Sequence, residues 1–275
     1  MASGYLELAE ALRRVLLGNV RAPRRVVLEI PGGRFLVMPA ADEHLAIVKL
    51  VTVRPDEQPS VFAEIWVRRF DTGEVFRLPA EELTVRRTAA LSLLAARTLA
   101  PRKRGALLLV GAGRQALGHL EAFSEGLSLT RVVVRGRSRE RVRALVARAR
   151  ELGLEAEADP GAYPKDLAFV VTATTSSTPV LGADLPEGVF VAAVGSYTPD
   201  ARELPEALVS RAELVVADTE DARAEAGELA GLPRGRVRLL AELLKAPPRP
   251  RGLVVFKSTG HAIFDLAAVR VYLKA

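Results

Sequence analysis

Lys49 is the first residue that invites a chemical explanation, because it interrupts the apolar run Leu45-Ala46-Ile47-Val48-Lys49-Leu50-Val51. Lysine is rarely buried without a partner. In a pocket its ammonium can stabilise a carboxylate or, with a lowered pKa, pass a proton to a reacting group. The plain alternative is an edge position from which the side chain reaches water. A second kind of chemistry is written in Leu107-Leu108-Leu109-Val110-Gly111-Ala112-Gly113-Arg114-Gln115-Ala116. An apolar strand there runs into Gly-x-Gly-x-x-Ala and then a helix. Gly111 permits the tight turn, Gly113 lets a pyrophosphate approach the backbone, and Ala116 lets the helix pack close to the sheet. The helix start, with Arg114 and Gln115, offers backbone N–H groups and positive dipole to phosphates. Gly111, Gly113, Arg114, Gln115 and Ala116 are therefore candidate cofactor-binding residues.

The next strand ends in Arg131-Val132-Val133-Val134-Arg135-Gly136-Arg137-Ser138-Arg139. An NAD-specific site usually places Asp or Glu there to hold the ribose hydroxyls. This chain has none. Arg137, Ser138 and Arg139 suit a 2′-phosphate through charge-assisted hydrogen bonds. The alternative is a solvated helix start. The expected cofactor is NADP(H), with NAD(H) possible.

These residues need elements to position them. Leu8, Leu12, Val15 and Leu16 recur at helical spacing and predict a helix over 6–17, stopped at Gly18-Asn19. Strands are predicted over 25–30, 34–38, 45–53, 61–70 and 74–78. The turns between them are Pro31-Gly32-Gly33, Pro55-Asp56 and the hairpin Asp71-Thr72-Gly73. An Ala- and Leu-rich helix over 85–100 is expected to be buried on most sides, and Pro101-Arg102-Lys103-Arg104-Gly105 is the best boundary. From Ala106 the pattern changes. Apolar runs over 106–110, 131–134, 167–171, 189–194 and 214–217 read as buried parallel strands, with helices over 115–124 and 139–152. A strand over 253–256 and a helix over 262–273 close the chain. The fold class is α/β, with a doubly wound Rossmann-type sheet in 101–256.

Composition narrows the function. Of 275 residues, 49% are hydrophobic and 26% charged, which fits a globular protein. No apolar run is long enough to span a bilayer, no signal peptide is evident, and no cysteine is present, so a cytoplasmic protein without membrane partners is expected. The net charge of +6 comes from arginines interspersed with glutamates, with few aromatics beside them. That pattern argues against nucleic acid and fits an anionic cofactor or substrate. His44, His119 and His261 show no metal-ligand clustering, and no metal is expected. His261 is weighed as catalytic and set aside. Asp200 and Glu203 are read as a loop residue and a helix-start acid.

Both halves of the chain resemble the ornithine cyclodeaminase/mu-crystallin family. The resemblance rests on blocks in the family's order: Pro23-Arg24-Arg25-Val26-Val27, Leu36-Val37-Met38-Pro39-Ala40, Lys49-Leu50-Val51-Thr52, Asp71-Thr72-Gly73, Arg87-Thr88-Ala89-Ala90, the glycine turn, Ala173-Thr174-Thr175-Ser176, Val194-Gly195-Ser196, Arg202-Glu203-Leu204 and Phe256-Lys257-Ser258-Thr259-Gly260. Family members typically begin further upstream, so this chain reads as shortened at its N-terminus. The resemblance implies an α+β substrate-binding and dimerisation domain over 1–100, completed by 257–275, and a homodimer. It implies Arg24 and Arg87 as binders of a substrate carboxylate, with Arg25 and Arg86 one register away. Lys49 falls in the substrate site as the catalytic candidate. Thr88, Thr174, Lys257 and Ser258 fall near the cofactor.

One departure matters. The cyclodeaminase aspartate that activates water corresponds to Tyr197 in Gly195-Ser196-Tyr197-Thr198-Pro199-Asp200. The resemblance is therefore nearer to the mu-crystallin-like imine reductases. It implies NADPH-dependent reduction of a cyclic α-imino acid of the pyrroline-2-carboxylate or piperideine-2-carboxylate type. The alternatives are a cyclodeaminase, an alanine-type amino-acid dehydrogenase, or an NADPH-gated small-molecule binder.

Overall fold

A computed structural model describes residues 4–54, 56, 57 and 61–274. Pro55, half of the turn expected at Pro55-Asp56, lies outside the described residues. The chain divides into two compact units. The first holds the residues up to Arg87 and again those from His261 onward, and the second runs from Thr88 to Gly260.

The first unit opens with helix α1 (Tyr5–Leu17), which buries Tyr5, Leu8, Ala9, Leu12 and Val15 along one face. Strands β1 (Val26–Ile30), β2 (Gly33–Ala41), β3 (Leu45–Val53), β4 (Val61–Arg69) and β5 (Val75–Pro79) pair in that order as an antiparallel meander. The hairpins after β1 and β4 turn at Gly32 (φ +74°) and Gly73 (φ +71°), a backbone region where a Cβ is strained. Along β3 the buried residues alternate: Leu45, Ile47, Lys49 and Val51 face inward. Register places Met38, Lys49 and Ile65 in one buried row across three strands. Lys49 is thus on the inner face of a central strand, and the edge alternative does not hold.

Helix α2 (Ala80–Leu99) leads from the first unit into the second and is buried continuously over residues 87–96. The second unit then alternates. Its elements are β6 (Arg104–Val110), α3 (Arg114–Gly126), β7 (Ser128–Arg135), α4 (Arg139–Glu151), β8 (Glu155–Ala158), β9 (Leu167–Thr172), β10 (Phe190–Ala193), α5 (Glu206–Arg211), β11 (Leu214–Ala217), α6 (Ala222–Glu225), β12 (Val237–Leu239), α7 (Leu240–Lys245) and β13 (Val254–Lys257). The eight strands form one parallel sheet in the order β12-β11-β13-β10-β9-β6-β7-β8. Every residue of β9, β10 and β13 is buried, which is why these strands read as unbroken apolar runs. The short outer strands β8 and β12 were not expected; Glu155-Ala156-Glu157-Ala158 buries only Ala156 and so carries no apolar run. The order reverses at β6, whose neighbours are β7 and β9. Such a switch point opens a crevice at the strands' carboxyl ends. After Gly260 the chain returns to the first unit as α8 (Ala262–Tyr272), which packs on α1, β2 and β3.

Candidate active site

The crevice of the second unit holds a cleft of about 860 Å³ lined by Gly111, Ala112, Gly113, Arg137, Ser138, Arg141, Thr174 and Ser176, among others. Gly111 stands at φ +117°, and a Cβ there would overlap the carbonyl oxygen of Ala173. A Cβ at Gly113 would meet nothing within 4 Å, so this glycine keeps open the space beside the backbone. Gly113 is also the N-cap of α3 and gives no side-chain cap, which leaves the first-turn N–H groups to a ligand. Ala116 is buried and allows the close packing expected of it. Gln115 keeps a buried side-chain oxygen without a hydrogen-bond partner, and Arg114 is exposed. This donor set and this opening fit the pyrophosphate of a dinucleotide.

At the end of β7, Ser138 caps α4 by accepting from Arg141 N–H at 3.3 Å, and its own hydroxyl hydrogen remains for a ligand. Arg139 is exposed and does not line the cleft; Arg141, two residues on, does. A helical turn starting at Ser138 brings Arg141 back towards the opening. Arg135 lines the cleft but is held by Asp159 at 2.6 Å.

In the first unit, Lys49 is 3% exposed. Its ammonium donates to Thr84 Oγ1 at 2.7 Å and to Asp265 Oδ1 at 3.2 Å. Arg87 Nε donates to the same Asp265 oxygen at 3.0 Å. Burial lowers the Lys49 pKa to about 8; Asp265 opposes the shift, while Arg87 and Arg25 add to it. Asp265 is fully buried, yet Arg87 and Lys49 outweigh that burial and hold its carboxyl below the usual range. Its second oxygen, Oδ2, has no hydrogen-bond partner. Arg24 is exposed, whereas Arg25 is half-buried and close enough to act on Lys49. Of the two neighbouring candidates, Arg25 is thus the one placed beside the cluster. Arg86 stacks over Tyr5, 4.7 Å from the ring centre, which leaves Arg87 as the arginine of the cluster.

The amino-acid sequence matches the ornithine cyclodeaminase/mu-crystallin family over residues 2–274. The chain belongs to that family. It is 36% identical over 274 residues to a Delta(1)-pyrroline-2-carboxylate reductase of Burkholderia multivorans, covering 96% of this chain and 87% of the relative. It is 32% identical over 270 residues to the ketimine reductase mu-crystallin of Mus musculus, covering 92% and 85%. Among solved structures it superposes with TM-score 0.90 on the Thermococcus litoralis Delta(1)-pyrroline-2-carboxylate reductase in complex with NADH and L-proline. That pair is 26% identical, covering 99% of this chain and 93% of the other.

Lys257 is fully buried; its ammonium donates to Ser196 Oγ at 2.6 Å and pairs with Glu228 Oε2 at 3.0 Å. Its side chain is engaged within the second unit by Ser196 and Glu228. Ser258 Oγ donates to Asp218 Oδ2 at 2.7 Å, and the same oxygen accepts the N–H groups of Thr259 and Gly260. Thr88 is buried directly after Arg87, and Thr174 lines the cleft. His261 caps α8, accepting from Ile263 N–H at 3.4 Å. His119 is buried, its pKa lowered by that burial to about 4, with Nδ1 on the Gln115 carbonyl and Nε2 on Ser92 Oγ. Among the described residues no group of three His, Cys, Asp or Glu could hold a metal ion, and no helix is long and apolar enough to cross a membrane.

One acid was missed in the sequence and another was given the wrong place. Asp265 was visible as the sole acid in Ala262-Ile263-Phe264-Asp265-Leu266-Ala267-Ala268, yet nothing local says which cations meet it. Glu203 is fully buried rather than a helix-start acid, because α5 begins only at Glu206.

Proposed function

We propose that this protein is an NAD(P)H-dependent oxidoreductase that reduces the C=N bond of a cyclic α-imino acid, of the pyrroline-2-carboxylate or piperideine-2-carboxylate type, to the cyclic amino acid. The observation that carries this reading is the buried cluster of Lys49, Arg87 and Asp265. Asp265 engages only Nε of Arg87, leaving the Nη edge for a substrate carboxylate, with Arg25 as the second cation. Two of the three Lys49 ammonium hydrogens are used by Thr84 and Asp265. The third is the proton for the ring nitrogen. With a pKa of about 8, Lys49 is still charged at neutral pH and is a far better acid than an ordinary lysine. The nicotinamide, when bound, supplies a hydride to the imine carbon. The chain's share is to hold the carboxylate, orient the ring and protonate the nitrogen.

The preferred reductant is NADPH. Arg137, Ser138 and Arg141 line the cleft at the end of β7 where an NAD-specific site would carry an acid, and the residues lining the cleft include no carboxylate. The assembly is a homodimer. On the outer face of the β1–β5 sheet Val26, Leu28, Phe62, Trp66 and Val75 are exposed, an apolar surface of the kind a second copy covers. Light scattering should find a dimer that Trp66→Glu disrupts; a wild-type monomer rejects this.

The deciding assay is NADPH oxidation with the two cyclic imines and with pyruvate plus ammonia, alongside proline and ammonia release from L-ornithine with oxidised cofactor. Turnover is expected on an imine without ammonia. L-ornithine should yield little proline, because the family register puts the exposed Tyr197 at the position of the deaminating aspartate. Turnover confined to pyruvate plus ammonia, or on none of these, rejects the proposal.

A further inference from the structure

Glu203 is used by nothing proposed so far, yet it is a heavily bonded acid of the second unit. It is fully buried and accepts four hydrogen bonds, none from a cation. Oε1 takes the Thr174 N–H at 2.7 Å and the Thr174 hydroxyl at 2.8 Å. Oε2 takes the Thr172 hydroxyl at 2.9 Å and the Gly195 N–H at 2.7 Å. Two donors to each oxygen is the pattern of a carboxylate, and charged hydrogen bonds are the stronger kind. A Cβ at Gly195 would overlap the Thr174 carbonyl oxygen and lie 2.5 Å from Glu203 Oε1, so the segment after β10 is packed flat on this acid. Glu203 is itself held, because its backbone N–H donates to Glu228 Oε1 at 2.7 Å. Glu228 in turn accepts from Ser196 at 2.9 Å and pairs with Lys257 at 3.0 Å. One network thus ties down the carboxyl ends of β9, β10 and β13.

Thr174 is part of the cleft wall. The strand order puts β7 and β9 on opposite sides of β6. A dinucleotide laid across the crevice with its adenosine end at β7 must pass its other half over β9 and β10. We infer that Glu203 is a positioning residue: it fixes Thr174 and Gly195 so that the nicotinamide half of the cofactor is seated, and leaves the adenosine half to the glycine turn and the end of β7. This inference rests on the dinucleotide reading above.

The test compares whole cofactor with a fragment. NADPH and adenosine 2′,5′-bisphosphate, or NADH and ADP-ribose if those bind better, are titrated into wild type and Glu203→Gln. Glutamine keeps the shape but turns an amide N–H₂ towards donors, so up to two of the four bonds are lost. The Kd of the whole dinucleotide should rise about tenfold or more, while the fragment stays within about twofold of wild type. Thr172→Val, which removes one buried donor to the same carboxylate, should move the ratio in the same sense and serves if Glu203→Gln does not fold. Parallel weakening of dinucleotide and fragment would mean a general structural role and overturns the inference, as does an unchanged dinucleotide Kd. If wild type binds neither probe, the dinucleotide reading itself fails.

Discussion

The cleft at the end of β6 is made largely of backbone and missing side chains, whereas the Lys49 cluster is made of charged side chains shut away from water. In the first, Gly111, Gly113 and the uncapped start of α3 act through what they do not occupy. In the second, one buried carboxylate oxygen is shared by an ammonium and a guanidinium from two different elements. The two constructions should fail differently. A backbone site loses affinity when a side chain is added. A side-chain site loses chemistry when one is removed, and its neighbours then change their charge.

The largest expected effect tests the second construction. Lys49→Met removes the proton source and keeps much of the volume, so kcat should fall by about 10²–10⁴-fold, the usual worth of a general acid. The Kd of the cofactor should stay near wild type. If kcat survives, the ring nitrogen is protonated by something else and the contrast between the units collapses.

Next in size is the pair of arginines before β1. Arg25→Lys keeps the charge but loses the planar fork, so KM for the imino acid should rise roughly tenfold or more. Arg24→Lys should change nothing, because Arg24 is exposed. The reverse outcome would restore the assignment that the sequence alone suggested.

That pair of neighbours shows what a single chain can and cannot carry. The glycine turn was legible because its parts are neighbours: strand, Gly111, Gly113 and helix occur within one short run, and physics dictates their order. Lys49 was legible because a charge in an apolar alternation violates its surroundings. Arg24 against Arg25 was not decidable, since no periodicity fixes the register of residues that precede β1. Asp265 was out of reach for a different reason: it lies far along the chain from Lys49 and Arg87, and only the packing of α8 on the sheet brings it to them. Glu203 was misread because an acid before a helix has a cheap local explanation, and a buried hub of four hydrogen bonds leaves no local trace.

A smaller effect probes the first construction from its charged margin. Arg137→Ala should weaken NADPH by about 1–3 kcal/mol, the range for one hydrogen bond to a charged group. NADH should be nearly unaffected. Equal losses for both would show that Arg137 reads the shared pyrophosphate, and that the cleft does not discriminate at the 2′ position.

The least disruptive test moves a pH limb and leaves the proton source in place. Lys49 delivers its proton only while charged, so kcat/KM should fall as pH rises through about 8. Burial sets that low value, Arg87 and Arg25 lower it further, and Asp265 is the one neighbour that raises it. Asp265→Asn keeps the shape of the acceptor and removes its charge. The ammonium then loses that counter-charge while both guanidinium groups remain, and the descending limb should shift to lower pH. Arg87 also loses its charged anchor, so KM should rise in parallel. The two readouts together separate this from a merely loosened core, which would reduce rate at all pH values without displacing the limb. A limb that stays at about 8 in Asp265→Asn would mean that Lys49 is not the titrating acid, and would sever the link between the buried cluster and the chemistry.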